Sequence, residues 1–274
     1  MKYTTIFKGN SESDLLNIFA SNPIDILSLS LDDPPEILTE FVKKYEGKFL
    51  AGFISYEYGV KQLGVPVHNL NGFPAAHFRV YDSFEKNKNI EIPKNIDWDQ
   101  FKSTLLKSEY DSGFEKIQNH IRSGDFYQIN FTHSLKSKTK ASPKELFLKL
   151  RGKNQVGYSV FMEHNDWAIH SLSPEQFIKI ENRIITTKPI KGTFPRGQSQ
   201  EEDNYNLKSL LNSEKEQAEL YMIIDLLRND LGKICKTGSV QVLQSKSIQK
   251  LEKVFHTFGV VQGKLNSMLH PIEA

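Results

Sequence analysis

The sequence predicts an α+β fold built largely from antiparallel sheet. Three observations carry that expectation. Short strand-like runs follow one another directly, as in QFIKI-ENR-IITTKPI, which favours hairpins over parallel crossovers. Helical patterns are interspersed among these runs instead of alternating with them strictly, as a parallel βαβ series would require. No GxGxxG follows a strand, and no GxxxxGK[ST] is present, so neither common phosphate-binding βα unit is signalled.

Taken in order, the first third reads as a mixed lobe spanning residues 1–95. Helices are expected near Ser13–Ala20 and Pro35–Tyr45, and strands over Phe49–Gly59 and the apolar run AAHFRVYDSF. The polar stretch from Glu85 to Gln100 is the best lobe boundary, and a second region is expected over 105–274. There the patterns give a helix over Gly113–Ile121, a strand over Asp125–His133 and a helix over Pro143–Leu150. Ser142, Pro143 and Glu145 make a capping-box start for that last helix. Strands at Tyr158–Met162 and Trp167–Ser171 follow, then the hairpin turning near Asn182.

Composition narrows the function classes. The 274 residues are 38% hydrophobic and 25% charged, with a formal charge of +2. That is ordinary globular composition with no basic arm, so nucleic acid is not expected as a partner. The one cysteine, Cys235, excludes a disulfide framework and any CxxC pair, and reads as a small buried apolar residue. No run approaches the roughly 18 apolar residues of a membrane span, and no signal peptide is visible, so a cytoplasmic protein is expected.

Three segments hold candidate chemistry. In the hairpin, pairing about Asn182 sets Glu175 opposite Ile190, one residue from Lys191. Strict alternation puts the carboxylate and the amine on opposite faces, whereas a one-residue bulge would bring them together. The plain alternative is a surface ion pair. The second segment is SEKEQAELYMIIDLLRNDLGKI, where Ser213 and Glu216 form a capping box. Stepping 100° per residue puts Glu219 at the head of a stripe with Met222, Ile223, Leu226, Leu227 and Asp230. A carboxylate there needs a cation, a hydrogen-bond cluster or a helix-end position. Asp225, Arg228 and Asn229 lie off the stripe as a local polar network. The third segment is KLEKVFHTFGVVQGKLN, with His256 between two phenylalanines, the usual setting of a core histidine.

These segments together resemble the chorismate-utilising enzymes, which include the anthranilate, aminodeoxychorismate, isochorismate and salicylate synthases. IRSGDFYQINFT is similar to the family's I-x-x-G-D-x-[FY]-Q-[VI]-N, SLSPEQF to S-P-E-R-F and TTKPIKGTFPRG to T-R-P-I-[AK]-G-T-x-P-R-G. EKEQAELYMIIDLLRNDLGKI resembles K-x-x-A-E-[HN]-x-M-[IVL]-D-L-x-R-N-D, and VFHTF resembles V-x-H-L. The match runs in order from about Phe114 to Leu265, with Gln176 and Leu220 departing from the pattern.

The resemblance implies a sandwich-like core of antiparallel sheets with helices outside. Lysine rather than alanine after Pro-Ile implies amination of chorismate at C4 to give 4-amino-4-deoxychorismate, a precursor of 4-aminobenzoate and folate. It implies Lys191 as a covalent nucleophile, Glu175 as the acid for the departing hydroxyl, and Glu219 as a Mg²⁺ ligand. It also implies Gly192, Thr193 and His256 as substrate contacts, and a glutamine amidotransferase subunit as the ammonia source. A nucleophilic lysine must shed its proton, and a free one is neutral in only about one molecule in 2,500 at pH 7. The sequence stops at SMLHPIEA, where the resemblance leads on to a further segment. The expectation is therefore that the C-terminal part of the chorismate-binding domain is missing and that this length alone is inactive. Alternatives are anthranilate synthesis or another reaction of the family, a non-catalytic amidotransferase-binding lobe, or an anion-binding module using Lys188, Lys191 and Arg196.

Overall fold

A computed structural model describes residues 3–10, 17–88, 90–93, 96–153 and 156–274, apart from the side chain of Lys153. The elements in chain order are β1 Thr4–Lys8, β2 Ile18–Ser21, β3 Asp25–Leu29, α1 Pro35–Lys44, β4 Phe49–Ile54, α2 Tyr56–Gln62 and β5 Ala76–Tyr81. Two-residue strands β6 Glu85–Lys86 and β7 Lys102–Ser103 precede α3 Lys107–Ser123, β8 Leu135–Lys136 and α4 Pro143–Lys153. Then come β9 Tyr158–Glu163, β10 Ala168–Ser173, β11 Gln176–Glu181, β12 Ile184–Lys188 and β13 Ile190–Pro195. The chain ends with α5 Gln200–Asn212, α6 Glu214–Ile234, β14 Gln241–Lys250, β15 Val254–Lys264 and a short 3-10 turn at Pro271–Glu273.

Every strand pairing among the described residues is antiparallel. One sheet has the order β10-β9-β1-β2-β6, a second β11-β12-β15-β13 with β14 also on β15, and a third β3-β5-β4. The α+β architecture predicted from hairpin spacing is thus the observed one.

The chain forms two compact units, Met1–Ile90 with Arg151–Ala274, and Glu91–Leu150. The break after residue 90 falls inside the polar stretch Glu85–Gln100. The division into 1–95 and 105–274 is nevertheless not the one the contacts draw. β1 pairs with β9 along its whole length, which ties the first stretch into the same unit as the residues after 150.

Two sequence-predicted elements differ. Asp125–His133 has the alternation of a strand but is irregular, because an alternating run without a neighbour to pair with leaves its backbone to water. The helix expected near Ser13–Ala20 lies partly outside the described residues, and its end is strand β2, paired with β1. The FLAGFISYEYG run also divides: β4 stops at Ile54, and Ser55 caps α2 by accepting from the Tyr58 N–H at 3.2 Å.

Within the larger unit, α6 packs on the second sheet through Leu220, Ile224 and Leu231, against Ile185 and Val261. This corrects the predicted stripe. Met222 and Leu226 are 44% and 54% exposed, so the buried face is rotated by about one residue from the one headed by Glu219. Apolar residues occupy more than one face of this helix, so period alone does not choose between them. Cys235 closes the same cluster and is buried, as expected of a small apolar residue.

Candidate active site

The hairpin β11–β12 turns through Asn182 and Arg183, both with positive φ (50° and 63°), the backbone of a two-residue type I′ turn. Arg183 is held there by its guanidinium, which donates to the carbonyls of Asn266 and Leu269. From this turn the register runs regularly from Glu181↔Ile184 to Lys179↔Thr186, then shifts, so that Gln176 faces Lys188. The one-residue bulge that the sequence left open is therefore present. It delivers the Glu175 carboxylate to the backbone N–H of Ile190, which donates to Oε1 at 2.9 Å.

A second bulge lies directly after Lys191. Lys191 faces Thr257 and Thr193 faces His256, so Gly192 is the extra residue. Its φ is +75°, and a Cβ there would stand 2.8 Å from Thr257 Oγ1 and 3.2 Å from Glu216 Cβ. Only glycine satisfies both the backbone and the space. Thr257, wholly buried, also donates its hydroxyl to the Lys191 carbonyl. Gly197, in the same motif, is equally constrained, since its Cβ would meet the Asp203 backbone nitrogen at 2.1 Å.

The two faces of this sheet differ. A Cβ on Gly259 would strike Ile224 and one on Gly263 would strike Cys235, so the odd-numbered residues of β15 face α6. Cross-strand partners share a face. Lys191, opposite Thr257, therefore lies on the helix-covered side, and Thr193, opposite His256, on the other. Thr193 Oγ1 and His256 Nδ1 are 2.9 Å apart. Burial holds the His256 imidazole below its ordinary range, against the opposing pulls of a hydrogen bond to the Gly192 backbone and the Glu175 charge. Burial thus favours the neutral form of the ring. Its half-buried, hydrogen-bonded position is not that of a core histidine.

Glu175, Gly192, Thr193 and His256 form one cluster, with Lys191 inside the same strand segment. Among the described residues no carboxylate lies within 4.0 Å of the Lys191 amine, so the surface ion pair with Glu175 does not form. Glu219, 30% exposed, lies near Lys215 at 3.9 Å, and Glu216, 20% exposed, shares that lysine at 4.0 Å. Glu216 is the residue that sequence reasoning assigned only to capping. The cap is real, with its N–H donating to Ser213 Oγ at 3.3 Å, yet its Cβ is the α6 atom nearest the Gly192 bulge. The capping signal hid the second role. Asp225 and Arg228 pair with each other at 2.8 Å on the exposed side of α6.

Arg196 is not available to an anion module. Its guanidinium makes a bidentate pair with Asp203 at 2.7 and 2.8 Å and donates to the Leu251 carbonyl, with Phe255 beneath it. Arg196 in turn holds the Asp203 carboxyl down at about 2.

The arrangement is a strand edge carrying an amine, a carboxylate, an imidazole and a hydroxyl about a backbone bulge, and the chain that builds it matches a family model. The profile described as chorismate binding enzyme matches residues 31–274. The chain belongs to the chorismate binding enzyme family. Aminodeoxychorismate synthase component 1 of Salmonella typhimurium is 36% identical over 170 residues, 62% of this chain and 37% of that protein. Anthranilate synthase component 1 of Bacillus pumilus is 37% identical over 172 residues, 63% of this chain and 34% of that protein. The matched stretch is thus little more than a third of these relatives' length. The crystal structure of anthranilate synthase component I from Streptococcus pneumoniae superposes with a TM-score of 0.79 at 25% identity, covering 98% of this chain and 71% of that one. Among the described residues no helix is long and apolar enough to cross a membrane.

Proposed function

We propose that the protein acts as an aminodeoxychorismate synthase component I, converting chorismate and ammonia to 4-amino-4-deoxychorismate in the cytoplasm, for folate synthesis. One observation carries this reading: a lysine without an ion-pair partner among the described residues occupies the position before the Gly192 bulge, one residue after the Ile190 N–H that anchors the Glu175 carboxylate. Replacing a C4 hydroxyl by nitrogen with retained position and configuration is difficult in one displacement and simpler in two. The Lys191 amine adds at C2 as the C4 hydroxyl departs, and Glu175 supplies the proton that makes it water. Ammonia then adds at C4, the double bond shifts back, and the C2–nitrogen bond to Lys191 breaks.

The Ile190 N–H fixes the Glu175 carboxylate, and the bulge fixes where Lys191 leaves the strand. Thr193 and His256, across the edge strand from Lys191, contact the part of the substrate that reaches around that edge. No group of three or more metal-binding side chains occurs among the described residues, but the oxygen donors of Glu219 suit a hard cation that takes its other ligands from substrate and water. Mg²⁺ held by Glu219 would neutralise the substrate's ring carboxylate. The name component 1 carried by the relatives supports a partner subunit, here a glutamine amidotransferase supplying ammonia.

The test is product analysis of the full-length protein with chorismate, ammonium and Mg²⁺. We expect 4-amino-4-deoxychorismate and no anthranilate; anthranilate as the product would reassign the reaction. Lys191→Ala should abolish amination, and full activity in that variant would remove the covalent step. For Glu219→Gln, an unchanged Mg²⁺ titration would exclude it as the ligand.

A further inference from the structure

Beside the candidate site, on the sheet face that carries Thr193 and His256, lies a cavity of about 370 Å³, large enough for a small organic ligand. Pro174, Ile190 and Phe258 give it apolar walls, and Tyr158, Gln176 and Lys188 line it with polar groups. Gln176 is the informative residue. It is only 8% exposed, its Oε1 accepts from the Tyr158 hydroxyl at 2.6 Å, and its Nε2 is buried without a hydrogen-bond partner among the described residues. A buried amide donor left unpaired costs about 1–3 kcal/mol, so such groups are uncommon unless something outside the chain pairs with them. Lys188 stands directly opposite Gln176 in the register and has no ion-pair partner among the described residues. A neutral donor and a cation facing each other at an apolar cavity recognise an anion attached to an apolar body.

We propose that this cavity is an accessory site for a small ring-bearing carboxylate, whose oxygens accept from Gln176 Nε2 and the Lys188 ammonium while its ring packs on Ile190 and Phe258. The site is separate from Lys191 and Glu219, which lie toward α6, and it stands whether or not the amination reaction is correct. It adjoins that chemistry through Ile190, whose N–H holds the Glu175 carboxylate. Occupancy would therefore press on the strand that positions the acid.

Benzoate is the probe, with benzyl alcohol as its uncharged counterpart, titrated by NMR against the full chain. Benzoate should bind saturably in the millimolar range, which about nine non-hydrogen atoms can supply, and benzyl alcohol should bind at least about tenfold more weakly. Gln176→Glu keeps an acceptor for Tyr158 but sets a carboxylate against the ligand, and Lys188→Gln removes the cation. Each should weaken benzoate by about tenfold or more, with an unfolding temperature close to the parent's showing that the fold survives. Lys191→Ala and His256→Ala should leave benzoate affinity within about twofold. Equal binding of the alcohol, insensitivity to the Gln176 and Lys188 changes, absence of saturation, or loss in Lys191→Ala or His256→Ala would each overturn the site.

Discussion

Two polar clusters in the larger unit make an instructive pair. One surrounds Arg79 in β5, which is wholly buried and yet has no carboxylate bound to its guanidinium among the described residues. It donates instead to His77 Nε2 at 3.0 Å, to the Thr4 carbonyl, to Thr5 Oγ1 and to the Glu163 carbonyl at 2.7 Å. His77 passes the chain on to Ser28 at 2.7 Å, and Trp167 stands edge-on to its ring. The other cluster is Glu175, Thr193 and His256 about Gly192, more open, with Lys191 in the same strand segment and its amine without an ion pair among the described residues. The first has more buried charge, but its donors are consumed holding β1, β5 and β9 together. The second leaves groups able to meet a ligand. Buried charge alone therefore does not mark function; unspent hydrogen-bonding capacity at an accessible edge is the better sign.

If that contrast is right, damage to the first cluster should appear as stability and damage to the second as activity. Arg79→Ala should cost about 4 kcal/mol in denaturant unfolding, since it opens a cavity and leaves the Thr4 and Glu163 carbonyls and His77 without their donor. A loss below about 1 kcal/mol would mean that the network contributes little. Gly192→Ala should cost about 3 kcal/mol, because a Cβ at φ +75° collides with Thr257 and Glu216. Wild-type stability there would show that the bulge is soft, and the contrast between the regions would blur.

The acid limb of stability should belong to His77. Burial, then the Arg79 charge, lowers its pKa from 6.5 to about 4. Between those values the unfolded chain binds the proton and the folded one does not. The contribution is complete above about pH 6.5 and lost as pH falls toward 4, by up to about 3 kcal/mol. His77→Gln should flatten that part of the profile, and an unchanged slope would assign the loss to other groups. Lys191→Ala sits at the opposite end. Its unfolding midpoint should match the parent within about 0.5 kcal/mol while amination by the full-length protein disappears, and a large loss of stability would make Lys191 a structural residue.

Much of the site was legible in the chain. Hairpin alternation placed Glu175 opposite Ile190 within a residue, because strand pairing and a two-residue turn leave few registers open. The glycines after Lys191 and Arg196 both fall in the TTKPIKGTFPRG motif, and in the structure both meet close neighbours. What escaped was set by distant partners. Arg196 read as a free cation until α5 brought Asp203 to it, and Asp125–His133 alternated like a strand but has none beside it to pair with among the described residues.

The sequence by itself determined the antiparallel character, the order of the motifs and the amine, carboxylate and glycine spacing, since each depends on local chain geometry or on residue identity. Tertiary structure alone decided that α6 buries Leu220, Ile224 and Leu231 and leaves Glu219 only partly buried, near Lys215. It also decided that Glu216 reaches the bulge and that Arg79 is spent on backbone carbonyls. The physical reason is the same in each case. A side chain's chemistry is fixed by its own atoms, but whether that chemistry is consumed or left available depends on which remote surfaces pack against it.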